Sequence, residues 1–141
     1  MTMKALLYPL LVQVTLTFAV MFRMYAQRSA EFRTERIRPR EVATRREAMN
    51  RLRSSAASSD NFSNQFEMPV LFYTAVVLAV TLLVQDLLLV MLAWIYVGLR
   101  VIHAAIHLSY NDVLHRFYAF VLSAFVLLAI WLRLGALIVL Y

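Results

Sequence analysis

Long apolar runs with sparse, regularly spaced polar interruptions dominate the chain. Four such stretches are separable, at about residues 5–27, 64–84, 87–109 and 116–138. A hydrocarbon core about 30 Å thick needs roughly 20 apolar residues at 1.5 Å of helix rise each. With its flanking turns, each stretch meets that requirement. The pattern predicts an all-α integral membrane protein, a four-transmembrane-helix bundle forming a single domain. The first stretch follows Lys4, as a signal sequence would, but ends in bulky Met21-Phe22-Arg23-Met24-Tyr25 without a small-residue cleavage site. It is therefore read as a retained span.

The polar interruptions are not scattered. At about 100° per residue, Tyr96, Arg100, His103, His107 and Asn111 of the third stretch fall within an arc of roughly 80°. An ionisable group at the centre of a span costs at least about 2.5–3.5 kcal/mol. This stripe is therefore expected to face other helices or a wet cavity. The second stretch opens with Asn64 and Glu67 on one face, and Pro69 is expected in its opening turns or at a kink. The first contributes Gln13 and Thr17, four residues apart, then Arg23 and Arg28 at its far end. Arg116 opens the fourth stretch, and Arg133 near its other end is expected to snorkel to the interface. Two readings of the cluster stay open. It could hold an anionic or zwitterionic ligand through arginine–carboxylate pairs, or Glu67 could neutralise Arg100 or Arg116 between packed helices. His103 and His107, at i and i+4, are a weak metal signal without an acidic partner, and no metal is expected.

Composition agrees with a membrane protein. The chain has 141 residues, 62% hydrophobic and only 16% charged. The absence of cysteine excludes disulfides, thiolate metal sites and cysteine nucleophiles. The net charge of +6 is concentrated, because nine arginines fall within residues 28–60. The positive-inside rule places that loop in the cytoplasm together with the 109–116 connection, and both termini on the other side. The first helix is expected to run past the membrane, with a turn or helix around 40–53 and a polar link from Ser54 to Asp60. Glu41–Arg45 and Glu47–Arg51 are spaced as attractive helix neighbours. The arginines suit anionic lipid headgroups, and the loop lacks the interleaved aromatics of a nucleic-acid binder.

The segments Asn64-Gln65-Phe66-Glu67-Met68-Pro69 and Arg100-Val101-Ile102-His103-Ala104-Ala105-Ile106-His107, followed by Arg116, resemble those of the MAPEG family, the membrane-associated proteins in eicosanoid and glutathione metabolism. The resemblance spans nearly the whole chain and is greatest to small bacterial members. It implies a homotrimer of four-helix bundles with glutathione, as co-substrate, bound between subunits toward the cytoplasmic side. Asn64 and Glu67 would hold polar parts of the peptide, with Glu67 on its amino group. Arg100 and Arg116 would pair its carboxylates or lie near its thiol. Arg28, His103 and His107 complete the implied binding set, and Arg116 is the implied catalytic residue. The implied activity is a glutathione-dependent transferase or peroxidase acting on a lipophilic electrophile from the membrane. The chain departs from the family's enzymes at three positions: His107 replaces a tyrosine, Phe117 a serine and Phe120 a tyrosine. These departures favour the alternative, a non-catalytic protein of the same fold serving as a lipid-binding module or an accessory subunit of a larger membrane complex. A transporter is disfavoured, since no internal repeat or broken helix is expected.

Overall fold

A computed structural model describes residues 3–140. After a 3-10 turn at Met3–Leu6 come six α-helices: α1 (Leu7–Thr34), α2 (Arg45–Arg51), α3 (Ala56–Asn64), α4 (Met68–Thr81), α5 (Leu87–Leu108) and α6 (Val113–Leu140). Three of the described helices are long and apolar enough to cross a membrane, namely Lys4–Thr34 with its opening turn, Leu87–Leu108 and Val113–Leu140.

α1 buries Pro9, Gln13, Val20, Met24 and Glu31, a stripe at spacings of three to four residues or their multiples. Its 28 residues give a length of about 42 Å, so it continues past a hydrocarbon core as expected. The basic segment then folds into a 3-10 turn at Pro39–Val42 and the short α2. A capping box starts α2: the Glu47 amide donates to Thr44 Oγ1, and the Thr44 amide donates to Glu47 Oε2. Glu47 is thereby drawn to Thr44 rather than to Arg51. The Arg45 side chain, the expected partner of Glu41, lies outside the described residues; Glu41 instead meets Arg51 at 3.8 Å.

The second apolar stretch departs from expectation. It is not one helix from 64 to 84 but α3 and α4 with a break at residues 65–67. Pro69 supplies the reason. It has no N–H to donate, and its ring would clash with the carbonyl of Gln65 in a continuous helix. It sits instead in the first turn of α4, where those defects cost little. The 14 residues of α4 span about 21 Å, short of a hydrocarbon core. The supposed polar link also departs, since α3 begins within it at Ala56. Glu31 fixes that start: its carboxylate accepts from the Ser54 and Ser55 amides at 2.7 and 3.1 Å and from Ser55 Oγ at 2.7 Å.

The core lies where α4, α5 and α6 meet. Ala75, Ala79 and Ala93 allow close helix approach. Phe72 stacks on Tyr96 with ring centroids 4.7 Å apart, and Leu127, Ile130 and Leu134 of α6 close the cluster. At the end of the α5–α6 pair, Asp86 does two things. Its Oδ1 accepts from the Leu89 amide at 2.8 Å, capping α5, and its Oδ2 accepts from Arg133 Nη2 at 2.6 Å. Arg133 is therefore paired across helices rather than simply snorkelling.

The hydrogen bond from Arg133 holds the Asp86 carboxyl below its usual range. A lowered folded-state pKa means stability that is present above the unfolded value of 3.8 and lost as pH falls through the lower folded value. Asp86→Ala is expected to cost about 1–2 kcal/mol through the lost cap alone. Thermal unfolding in detergent should show a lower midpoint for the variant at neutral pH and a smaller further loss below pH about 4. Equal midpoints would show that the cap and the pair contribute nothing.

Candidate functional site

The break between α3 and α4 organises the site. A helix leaves its last carbonyls without intrahelical partners, and the Asn64 carbonyl at the end of α3 is one of these. Arg100, fully buried on α5, donates from Nη2 to that oxygen at 2.9 Å. The negative end of the α3 dipole suits a guanidinium. The Phe120 ring centroid lies 5.9 Å from the same group, within cation–π range. Nε and Nη1 of Arg100 are buried with no hydrogen-bond partner.

Next to it, His103 Nδ1 donates to the Arg116 carbonyl at 3.1 Å, joining α5 to the first turn of α6. With Nδ1 carrying that proton, the buried Nε2 of His103 is left without a partner. Arg116 donates from Nη1 to Asn111 Oδ1 at 2.9 Å and to His107 Nε2 at 3.1 Å. The same Nη1 lies 3.5 Å from the other ring nitrogen of His107, Nδ1. Asn64, His103, Arg116, Val113, Phe117 and Phe120 line an open pocket of about 190 Å³. The arrangement sets one guanidinium, Arg116, in the pocket lining and a second, Arg100, on the backbone of another lining residue, Asn64.

Residues 6–136 match the model of the MAPEG family. The chain belongs to the MAPEG family. No curated protein and no solved structure matches it significantly.

In this MAPEG protein the structure brings together Asn64, Arg100, His103, His107 and Arg116. Tyr96, Arg100, His103 and His107 are all buried on α5, as their helical spacing predicts. Asn111 is not on that helix. It lies beyond it at φ 48°, a left-handed conformation that asparagine tolerates, and this turn lets its amide oxygen meet Arg116. Two expected members stand apart. Glu67 is exposed in the break and, among the described residues, makes no ion pair with Arg100 or Arg116. The break that Pro69 imposes removes the common helix face it was to share with Asn64. Arg28 donates from Nη2 to Ser59 Oγ at 2.9 Å and lines a different cavity. Among the described residues, no three His, Cys, Asp or Glu gather as a metal site.

The sequence reading missed a buried amide relay behind the site. Gln13 Nε2 donates to Gln65 Oε1 at 3.0 Å, Gln65 Nε2 to Asn61 Oδ1 at 3.2 Å, and Asn61 Nδ2 to the Ala104 carbonyl at 3.2 Å. It ties α1, α3 and α5 together around the break. The available signals were a lone glutamine in an apolar run and two amides four residues apart.

Gln65→Ala leaves the Gln13 and Asn61 amides short of a partner in a buried setting. The expected cost is about 1–3 kcal/mol. Thermal unfolding against Thr74→Ala, an exposed control on α4, checks this. A midpoint no lower than the control's would show that the relay is not holding the break.

Proposed function

We propose that this MAPEG protein is a glutathione-dependent transferase or peroxidase acting on a lipophilic electrophile drawn from the membrane. The observation that carries the reading is the pocket in which Asn64, His103 and Arg116 line one wall while the buried Arg100 holds the Asn64 carbonyl from behind. Glutathione is anionic, and the Arg116 guanidinium lines the pocket where such a ligand would sit. Val113 and Phe117 at the rim are exposed and apolar, which suits entry of a lipophilic partner from the bilayer.

In the proposed mechanism Arg116 stabilises the thiolate by charge, favouring loss of the thiol proton. The sulfur then attacks the electrophilic carbon, and a sulfur–carbon bond replaces the bond to the leaving group. Glu67, exposed and in no ion pair with Arg100 or Arg116 among the described residues, is placed on the ligand's amino group. At about 190 Å³ the pocket is smaller than the roughly 300–1,000 Å³ of typical small-molecule sites. A second subunit completing it fits that deficit, and a homotrimer of four-helix bundles, with α3–α4 counted as one element, is proposed on this ground and on family membership. The basic segment is assigned to the cytoplasm of a bacterial inner membrane, with both termini on the other side.

One observation favours the alternative, a non-catalytic lipid-binding or accessory role. The Arg116 Nη1 is already bonded to His107 and Asn111, and Phe117 and Phe120, rather than hydroxyl side chains, line the pocket beside it.

Steady-state kinetics with glutathione and an activated aryl halide separate the two. Arg116→Ala is expected to lower kcat by about 100-fold with a smaller effect on glutathione affinity. Glu67→Gln is expected to weaken glutathione binding about tenfold, or 1.4 kcal/mol. Unchanged kinetics in both variants would remove the proposed site, and no turnover in the folded wild type would favour the non-catalytic reading.

A further inference from the structure

A second cavity, of about 400 Å³, lies between the end of α1, the Pro39–Val42 turn, α2 and α3. It shares no residue with the Arg116 pocket. Its volume is within the range of small-molecule sites. The lining has two characters. Val42, Met49 and Leu52 supply an apolar side, and Arg28, Ser59 and Asp60 a polar one. Arg28 is anchored through Nη2 to Ser59, while its Nε is buried without a partner. Asp60 is exposed. One part-exposed cation and one exposed carboxylate thus share the lining.

The cavity's position narrows the occupant. Tyr25, exposed one turn before Arg28, is an aromatic of the kind that marks a membrane–water interface. α1 then carries on into the arginine-rich segment. The cavity therefore sits at headgroup depth on the basic side. A purely anionic headgroup would satisfy Arg28 but meet Asp60 with like charge. A group carrying both a phosphate and an N–H-bearing ammonium satisfies both. A trimethylammonium has no N–H to donate. The apolar side can cover the carbon portion.

We propose that this cavity binds a phosphoethanolamine group, with the phosphate at Arg28, the ammonium at Asp60 and the carbon portion against Val42, Met49 and Leu52. Two sources share that chemistry: a phospholipid headgroup and soluble phosphoethanolamine. The site is independent of the glutathione reading.

Native mass spectrometry of the full chain, exchanged into equal amounts of phosphatidylethanolamine, phosphatidylcholine and phosphatidylglycerol, tests it. The expected result is retention of phosphatidylethanolamine about tenfold over each of the other two. Arg28→Gln should lower retention of all three. Asp60→Asn, at an exposed position that leaves folding intact, should abolish the preference while keeping total lipid. Millimolar free phosphoethanolamine is then added. Displacement of the lipid identifies the soluble compound as a sufficient ligand, and persistence identifies the lipid; either outcome follows a selective wild type and supports the shared chemistry. Equal retention of the three lipids with no binding of free phosphoethanolamine would overturn the proposal, as would an undiminished preference in Asp60→Asn.

Discussion

A guanidinium with no exposed surface, set among apolar helices, is the constraint on which the rest of this structure turns. Arg100 cannot shed its charge, and burying it unpaired would cost several kcal/mol. The chain meets that cost by ending a helix beside it. Pro69 forbids a continuous second helix, the break exposes the Asn64 carbonyl, and Arg100 takes that oxygen. The same break leaves other polar groups to be satisfied inside the protein. The Gln13–Gln65–Asn61 relay does so, and in doing so binds α1, α3 and α5 to one another.

The half-satisfied state of this centre connects fold to function. Arg100 retains two donors without partners and His103 one nitrogen, all buried next to an open pocket. Such groups are costly to maintain for packing alone. Arg116 differs: it is partly exposed and oriented by His107 and Asn111. On the proposed reading Arg116 is the cation that meets the ligand, and Arg100 fixes the wall behind it through the Asn64 carbonyl.

Much of this was legible in the sequence, though unevenly. The buried face of α5 followed from helical spacing, because a stripe of Tyr, Arg and two His on an otherwise apolar helix has only one way to avoid lipid. The long α1 and a turn or helix around 40–53 were legible for local reasons as well, but the Thr44–Glu47 cap was not. The break was harder, because hydropathy runs smoothly through Pro69 and only the clash with the Gln65 carbonyl marks the interruption. That misreading carried Glu67 onto a helix face it does not share. The Asp86–Arg133 pair joins residues 47 apart, and their meeting depends on how α5 docks on α6, which no local pattern encodes. Arg28 was legible as a cation at the end of a span, but which of two cavities it serves is set by the fold of the segment after it.

The most direct test is a calorimetric titration of glutathione into the detergent-purified protein, with Arg100→Ala and Arg100→Lys compared and their helical content checked by circular dichroism. The account predicts saturable binding in the wild type, lost in Arg100→Ala and weakened in Arg100→Lys. Undiminished binding in a folded Arg100→Ala, or none up to millimolar glutathione in the wild type, would contradict it.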